Sequence, residues 1–451
     1  MRLREWTDQI RHSLWFVPTI AVFVAAALAL ALVAFHELSG STEGELPFLF
    51  GAGPDGARAM LQAIAGSVIT VAGVTFSITI VALQLTSSQF SPRVLRNFLR
   101  DRPNQVVLGI FMGTFTYALL VLRSIRSEND QRGDAFVPEL AISGALILVF
   151  VSLGALIYFI HHISSRIQVT SIVASVAHDT IGSVRSMADW TTMDRDRGWK
   201  SAVDVAVDAP APPSGAIPSP AGVPGVVTLL AEESGYLQFV DLRGLVADAR
   251  EAGGRYRLLL SPGSWVQDHA PIGSFESLDG GPVDLEARTN RMRDALSVGQ
   301  ERSTQQDIAF GIQQLVDIAV KALSPSINDP TTAMNCIDRL VEVLTFSGLQ
   351  SDPPRGFADS DDVVRLEIPF PCFDELVRLA FDQVRHYGGD APAVVIHLAR
   401  GLSILDSALP VPRHPALTEQ ALLLAEAAAT IELEADRRRA ISAVAPLVSP
   451  R

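Results

Sequence analysis

The stretch GVTFSITIVALQLTSSQFSPR, residues 73–93, is mostly apolar, yet hydroxyls, amides and a glycine recur along it. It continues an apolar run over residues 60–85, which meets the length of about 20 residues that a membrane helix needs. At about 100° per residue, its small and polar residues fall in one sector of about 100°. These residues are Gln62, Gly66, Thr70, Gly73, Ser77, Gln84, Ser87 and Ser88, and Ile69 and Ile80 share their sector. The sequence therefore predicts a membrane helix with one polar face.

Three further segments have the length and apolar character of membrane helices, at residues 14–35, 106–122 and 140–160. The third span of the four is short and contains Gly109 and Gly113. Small residues let helix backbones approach closely in a membrane. The glycines therefore predict that the third span lies in the interior of a four-helix bundle.

The arginines predict the orientation of these spans, because cytoplasmic loops carry an excess of positive charge. The cytoplasmic groups are Arg2, Arg4 and Arg11 before the first span, and Arg93, Arg96, Arg100 and Arg102 after the second. The first loop carries mostly acids instead, among them Glu43 and Glu45. Both termini and the large C-terminal half are therefore expected in the cytoplasm.

Two interpretations of the polar face remain open. Hydroxyl-rich stripes are commonly surfaces on which helices pack. Alternatively the face meets water and lines a pore, with Ile69 or Ile80 as an apolar constriction, and the two amides near opposite ends of the span favour this. The pore-lining candidates are Gln62, Gly66, Thr70, Gly73, Ser77, Ile80, Gln84 and Ser88. Arg93, Arg96 and Arg100, on a predicted short amphipathic helix, would lie at the cytoplasmic mouth.

The fold class predicted is an α-helical membrane protein with four transmembrane helices and a cytoplasmic α+β region. Residues 1–165 form the transmembrane domain, and residues 166–225 a helical extension and a Pro/Gly linker. Residues 226–282 form a small β-rich module, in which Asp241 caps a helix and PGSWVQDHAPIGSF (262–275) suggests the hairpin of a small barrel. Residues 283–451 form a cytoplasmic helical domain, with a helical bundle at its end.

A second polar cluster lies in the turn SPSINDP, between two predicted helices in residues 304–344. Asp329 is placed to cap the second helix, with Pro330 at its first position. Ser324, Asn328, Asp329 and Thr332 are structural turn residues or ligand candidates, and the structural role is favoured. Four nearby glutamines, Gln305, Gln306, Gln313 and Gln314, suit either an interface or a ligand-sensing surface.

Several classes of function are not expected. A net charge of -13 over 451 residues offers no basic face for nucleic acid. Cys336 and Cys372 fit neither a disulfide framework nor a zinc pattern, so no metal is predicted. No phosphate loop, nucleotide fingerprint, nucleophile elbow or HExxH motif occurs, so we expect neither a cofactor nor an enzyme.

GVTFSITIVALQLTSSQFSPR and ALSPSINDPTTA (322–333), together with the four spans, resemble a bacterial family of predicted membrane proteins, domain of unknown function 2254. The resemblance covers nearly the whole chain and implies a bacterial inner-membrane protein, without implying an activity or site residues. The function predicted is an oligomeric channel-like protein, whose partners are the lipid bilayer, further copies of the chain and a permeant ion. The alternative is a non-conducting, membrane-anchored sensor or scaffold that binds a ligand or protein through its cytoplasmic domain.

Overall fold

The computed structural model describes residues 15–39, 53–89, 102–126, 136–166, 168–192, 199–202 and 225–448. The chain divides into two compact units. The N-terminal unit is Met1–Ser171, and the C-terminal unit is Ile172–Arg451.

The described residues of the N-terminal unit form four long helices. They are α1 (Phe16–Ser39), α2 (Pro54–Gln89), α3 (Arg102–Ser124) and α4 (Glu139–Arg166). Each is long and apolar enough to cross a membrane, so the four predicted spans are confirmed. The helices extend beyond the apolar runs because polar residues continue them, as Asp55 does in the first turn of α2.

Helix α3 lies in the interior of this unit and contacts α1, α2 and α4. A Cβ atom added at Gly109 would lie 3.1 Å from the Ala21 Cβ, and one added at Gly113 would lie 3.3 Å from the Ala21 carbonyl oxygen. The glycines therefore let α3 pack closely against α1, as predicted. Polar contacts also occur inside the unit: the Thr114 and Ser152 hydroxyls lie 3.0 Å apart, joining α3 to α4.

The C-terminal unit is largely helical. Its helices are α5 (Val169–Thr192, entering from the end of the N-terminal unit), α6 (Leu242–Glu251), α7 (Leu285–Ala295), α8 (Ile308–Ala322), α9 (Pro330–Gly348), α10 (Phe373–Gly388), α11 (Pro392–Ala408), α12 (His414–Ala429) and α13 (Glu434–Val448), with a short 3-10 helix at Val411–Arg413. Helices α8 to α13 pack on one another, which confirms the predicted bundle. The predicted helical extension after the fourth span is a separate helix, α5, which starts after α4 has ended.

The described residues of this unit include nine strands, which form two sheets. They are β1 (Trp199–Ala202), β2 (Val226–Leu230), β3 (Gly235–Val240), β4 (Gly254–Leu258), β5 (Trp265–Val266), β6 (Pro271–Ser277), β7 (Leu296–Gly299), β8 (Gly356–Asp359) and β9 (Val364–Glu367). The larger sheet has the order β1-β8-β9-β4-β6-β2, and the smaller one β5-β3-β7. Only the pairing of β4 with β9 is parallel among the described strands. The predicted α+β fold class is confirmed.

The predicted barrel hairpin over residues 262–275 is wrong. Strand β5 pairs with β3, whereas β6 pairs with β2 and β4, so the two strands lie in different sheets. His269, between the two strands, has a φ of 59°, in the left-handed region. The larger sheet also takes strands from residues 199–202 and 356–367, on either side of residues 226–282.

Four helices of the C-terminal unit begin directly after an aspartate that caps them. The side chains of Asp241, Asp284, Asp307 and Asp329 each accept a hydrogen bond from a backbone N–H in the first turn of the helix that follows. Such caps satisfy N–H groups that have no partner within the helix. Beyond its cap, α8 buries its apolar residues at helical spacing. These are Ile308, Ile312, Leu315, Ile318 and Ala322.

Candidate functional site

The polar face of α2 points away from the rest of the N-terminal unit. Helix α2 packs through a different face, formed by Ala57, Leu61, Ile64, Ala65, Val68, Ala72, Thr75 and Ala82. At about 100° per residue, the centre of that packed face lies about 150° around the helix from the centre of the polar face. The members of the polar face whose side chains are described are all exposed: Gln62, Gly66, Thr70, Gly73, Ser77, Ile80 and Gln84.

The glycines of α2 differ from those of α3. A Cβ atom added at Gly66 or Gly73 would meet nothing within 4 Å among the described residues. Gly109 and Gly113 are needed for packing inside the chain, since α1 lies against them. Gly66 and Gly73 make no such contact with the described residues. The polar face is therefore free to receive a surface from outside the described part of the chain.

The groups on this face differ in their hydrogen-bond partners and exposure. The Thr70 hydroxyl donates to the Gly66 carbonyl, at 2.7 Å, so it is satisfied within its own helix. The amides of Gln62 and Gln84 are exposed, and they lie near opposite ends of the apolar run. Ile80 is 46% exposed and supplies bulk between them. Ile69 shares the sector and is 38% exposed. The face thus combines small groups, two amides and two large apolar side chains.

Part of the predicted site lies outside the described residues. The Ser88 side chain and the predicted arginine helix with Arg93, Arg96 and Arg100 belong to that part. The assignment of these residues to the lining and to the mouth stays a prediction.

The turn at Ser324 to Thr332 uses its polar groups internally. The Thr332 N–H and hydroxyl both donate to the Asp329 carboxylate, at 3.1 and 2.5 Å, and these bonds lower the pKa of that carboxyl. The Ser324 hydroxyl donates to the Lys321 carbonyl at 2.7 Å, and the Asn328 N–H donates to the Ser324 carbonyl at 2.8 Å. Asn328 itself is left-handed, with a φ of 48°. The structure brings these four residues together as a closed turn, which favours the structural interpretation over a ligand site.

The glutamines near this turn play different parts. Gln306 is buried, and its amide both accepts from the Val240 N–H at 2.8 Å and donates to the Val240 carbonyl at 3.1 Å. The Gln313 amide donates to Asp317 at 2.7 Å, one turn along α8. Gln305 is exposed. Gln314 is buried, at 3% exposed. Of the four glutamines, Gln305 is therefore the one whose side chain is exposed to a ligand.

A buried ion pair between Arg302 and Asp307 is not predicted from the sequence. Asp307 is 4% exposed and pairs with Arg302 at 2.7 Å, while its carboxylate also caps α8 through the Phe310 N–H. The capping role of Asp307 could have been predicted, because Asp307 stands before an apolar helix as Asp329 does. A Cβ atom at Gly263 would lie 2.0 Å from the Asp307 carboxylate, and the φ of 93° there also favours glycine. Among the described residues, no three His, Cys, Asp or Glu side chains are grouped to hold a metal ion.

Comparison with known proteins gives relatives along nearly the whole chain. It is 34% identical over 455 residues to the uncharacterized protein Rv1290c of Mycobacterium tuberculosis strain H37Rv. The same identity is found with the uncharacterized protein Mb1321c of Mycobacterium bovis. In both cases the match covers 98% of this chain and 82% of the relative. No solved structure matches the chain. The family described as predicted membrane protein DUF2254 matches residues 11–403, and the chain belongs to this family of membrane proteins.

Proposed function

We propose that this membrane protein is an oligomeric, channel-like protein of a bacterial inner membrane, in which α2 from each copy turns its polar face to a common axis. Both termini lie in the cytoplasm, and the C-terminal unit assembles or regulates the channel. The permeant is an ion, and no reaction is catalysed. One observation carries the proposal: the polar face is exposed on the side of α2 remote from its packed face.

The bilayer makes this exposure informative. A face on the outside of a membrane unit meets lipid, water or another protein. An amide in lipid leaves hydrogen-bonding groups without partners, which costs about 1–3 kcal/mol or more for each group. Oligomers of a single chain are usually closed rings. A ring of copies would remove Gln62 and Gln84 from lipid and place them beside water in a central path.

Ile80, one of the two large apolar residues of the face, suits a gate. An apolar constriction in a narrow pore can close it by excluding water. Ile80 lies between Ser77 and Gln84 on the polar face, so copies of Ile80 would approach one another at the axis.

The test is electrical recording from the purified full-length protein in planar bilayers, under applied voltage and membrane tension. Ile80→Ala should raise the open probability, and Ser77→Leu should reduce the unitary conductance. Two matched controls lie on other sides of α2. Ile78→Ala changes an exposed isoleucine about 160° around the helix from Ile80, and Ser67→Leu changes an exposed serine about 80° from Ser77. Both controls should leave the current unchanged.

Two outcomes would overturn the proposal. The first is the absence of current from wild-type protein under every voltage and tension applied. The second is a wild-type oligomer that passes no current and that dissociates on Ser77→Leu. This result would make the polar face a packing surface alone.

A further inference from the structure

Helix α5 connects the two units of the chain. Only residues 167 and 168 separate the end of α4 from the start of α5. Three Cα–Cα steps of about 3.8 Å each can span at most about 11 Å. The start of α5 therefore cannot move beyond this distance from the end of α4 unless α4 moves with it.

From Ile172 onward, α5 belongs to the core of the C-terminal unit. One face of the helix is buried there, through Ile172, Val173, Val176, Ala177, Thr180, Ser183, Val184 and Met187. Burial along four turns fixes the helix along its length, because tightly packed interiors leave no room for independent sliding.

Two contacts lock this face to the start of α8. A Cβ atom added at Gly311 would lie 2.0 Å from the Thr180 Oγ1 and 2.8 Å from the Thr180 Cβ. The helices thus meet where only glycine fits, and rotating the threonine side chain would not relieve the overlap with its Cβ. Next to this contact, the Ser183 hydroxyl donates to the Thr304 carbonyl at 2.6 Å.

A third contact joins α5 to α9. The Arg185 guanidinium lies over the Phe346 ring, 4.9 Å from its centre. Helix α5 is therefore held by both helices that flank the turn at Ser324 to Thr332. The segment before α8 is itself fixed, by the Arg302–Asp307 ion pair and by the Gln306 bonds to Val240.

We propose that α5 is a coupling helix, which transmits displacements of α8 and α9 in the C-terminal unit to α4 in the membrane. Packed elements shift as rigid bodies between discrete arrangements, and α5 has close contacts at one end and a short covalent tether at the other. A ligand or partner that moves α8 would thereby rearrange the spans. This inference goes beyond the proposed function, since the coupling can operate whether or not the protein conducts.

The experiment measures a distance inside the N-terminal unit while the C-terminal unit is altered. Spin labels are placed at Leu119→Cys on α3 and Ile157→Cys on α4, both exposed positions, in full-length protein reconstituted in lipid. Cys372→Ser removes the half-buried thiol, and the buried Cys336 is left in place. Labelled chains are diluted with unlabelled ones, so that only distances within one copy contribute to pulsed electron resonance.

Gly311→Ala is expected to shift the distance distribution between the two labels. Gly182→Ala is the matched control, because the same Cβ added on the exposed side of α5 meets nothing within 4 Å. It should leave the distribution unchanged. Inserting three glycines between Ile167 and Gln168 should abolish the shift that Gly311→Ala causes, because the tether becomes slack.

A wild-type distribution in the Gly311→Ala protein would overturn the coupling, and so would a shift that survives the glycine insertion. If Gly311→Ala does not fold, Ser183→Ala removes the bond to Thr304 without adding atoms and is held to the same two criteria. Since the readout is a distance, a protein that passes no current can still support or refute this inference.

Discussion

A single carboxylate, Asp359, organises the end of β8. It is 1% exposed, pairs with Arg365 at 2.7 Å, and accepts hydrogen bonds from the N–H groups of Asp361 and Val363 at 2.9 and 3.1 Å. Burial pushes the pKa of this carboxyl upward, but the bonds from Arg365 and the two N–H groups outweigh burial and leave the pKa below its usual value. The charged form is therefore the one that the fold stabilises.

Asp359→Asn should lower the free energy of unfolding by about 3 kcal/mol, because it leaves Arg365 beside a neutral partner. Since the folded pKa is lowered, the contribution of Asp359 is complete above its ordinary value of 3.8 and is lost as the pH falls below that value. The difference between wild type and variant should therefore shrink on acidification. Denaturant unfolding of the full-length protein in detergent, at neutral and acidic pH, measures both effects.

Asp361→Asn is the matched control for Asp359→Asn. Asp361 pairs with Arg250 at 2.9 Å, but its side chain is 65% exposed. Exposed ion pairs contribute about 1 kcal/mol or less. Equal destabilisation by the two variants would show that burial does not determine how much Asp359 contributes to the free energy of unfolding.

At the residue scale, the sequence predicts what depends on near neighbours. The caps at Asp241 and Asp329 were predictable because an N-cap acts on a backbone N–H three residues along. The roles of Gln306 and Asp307 were not fully predictable. Gln306 bonds to Val240, 66 residues away, and nothing in the local pattern around it names that partner.

At the scale of elements, α3 shows how glycine sets helix contacts. Gly109→Leu should lower the free energy of unfolding of the N-terminal unit by about 1–3 kcal/mol, because a side chain there overpacks the contact with α1. Gly154→Leu on α4 is the control, since a Cβ atom there meets nothing within 4 Å. Titration with denaturing detergent, followed by circular dichroism, compares the two. A larger loss from Gly154→Leu would contradict the close packing of α3 against α1.

Helices were predicted more reliably than strands, for a physical reason. A membrane helix satisfies its own backbone hydrogen bonds and is recognised by apolar length alone. A strand needs a partner, and the partner is chosen by the whole sheet. Strands β5 and β6 are neighbours in sequence and suggested a hairpin, yet β5 pairs with β3. The polar face of α2 could be predicted from the sequence periodicity. Its position on the side remote from the packed face could not, because that depends on how the four helices pack.

At the scale of the whole molecule, an even number of spans predicts that both ends of the chain lie on the same side of the membrane. The arginine distribution predicts that this side is the cytoplasm. A green fluorescent protein fused after Arg451 should therefore fluoresce, and alkaline phosphatase at that position should be inactive. Alkaline phosphatase fused after Glu45, in the first loop, should be active. The reverse pattern at the two fusion sites would invert the topology.

The pairing of β1 with β8 has a consequence for biosynthesis. The register joins Trp199 to Asp359, so β1 leaves the ribosome long before its partner is translated. Through that interval its unpaired backbone groups could template pairing with other chains. The four spans, by contrast, are complete in the nascent chain before β1 emerges. A nascent chain that stalls before Gly356 would hold a finished membrane anchor and a large sheet lacking β8 and β9, a species suited to chaperones and proteases.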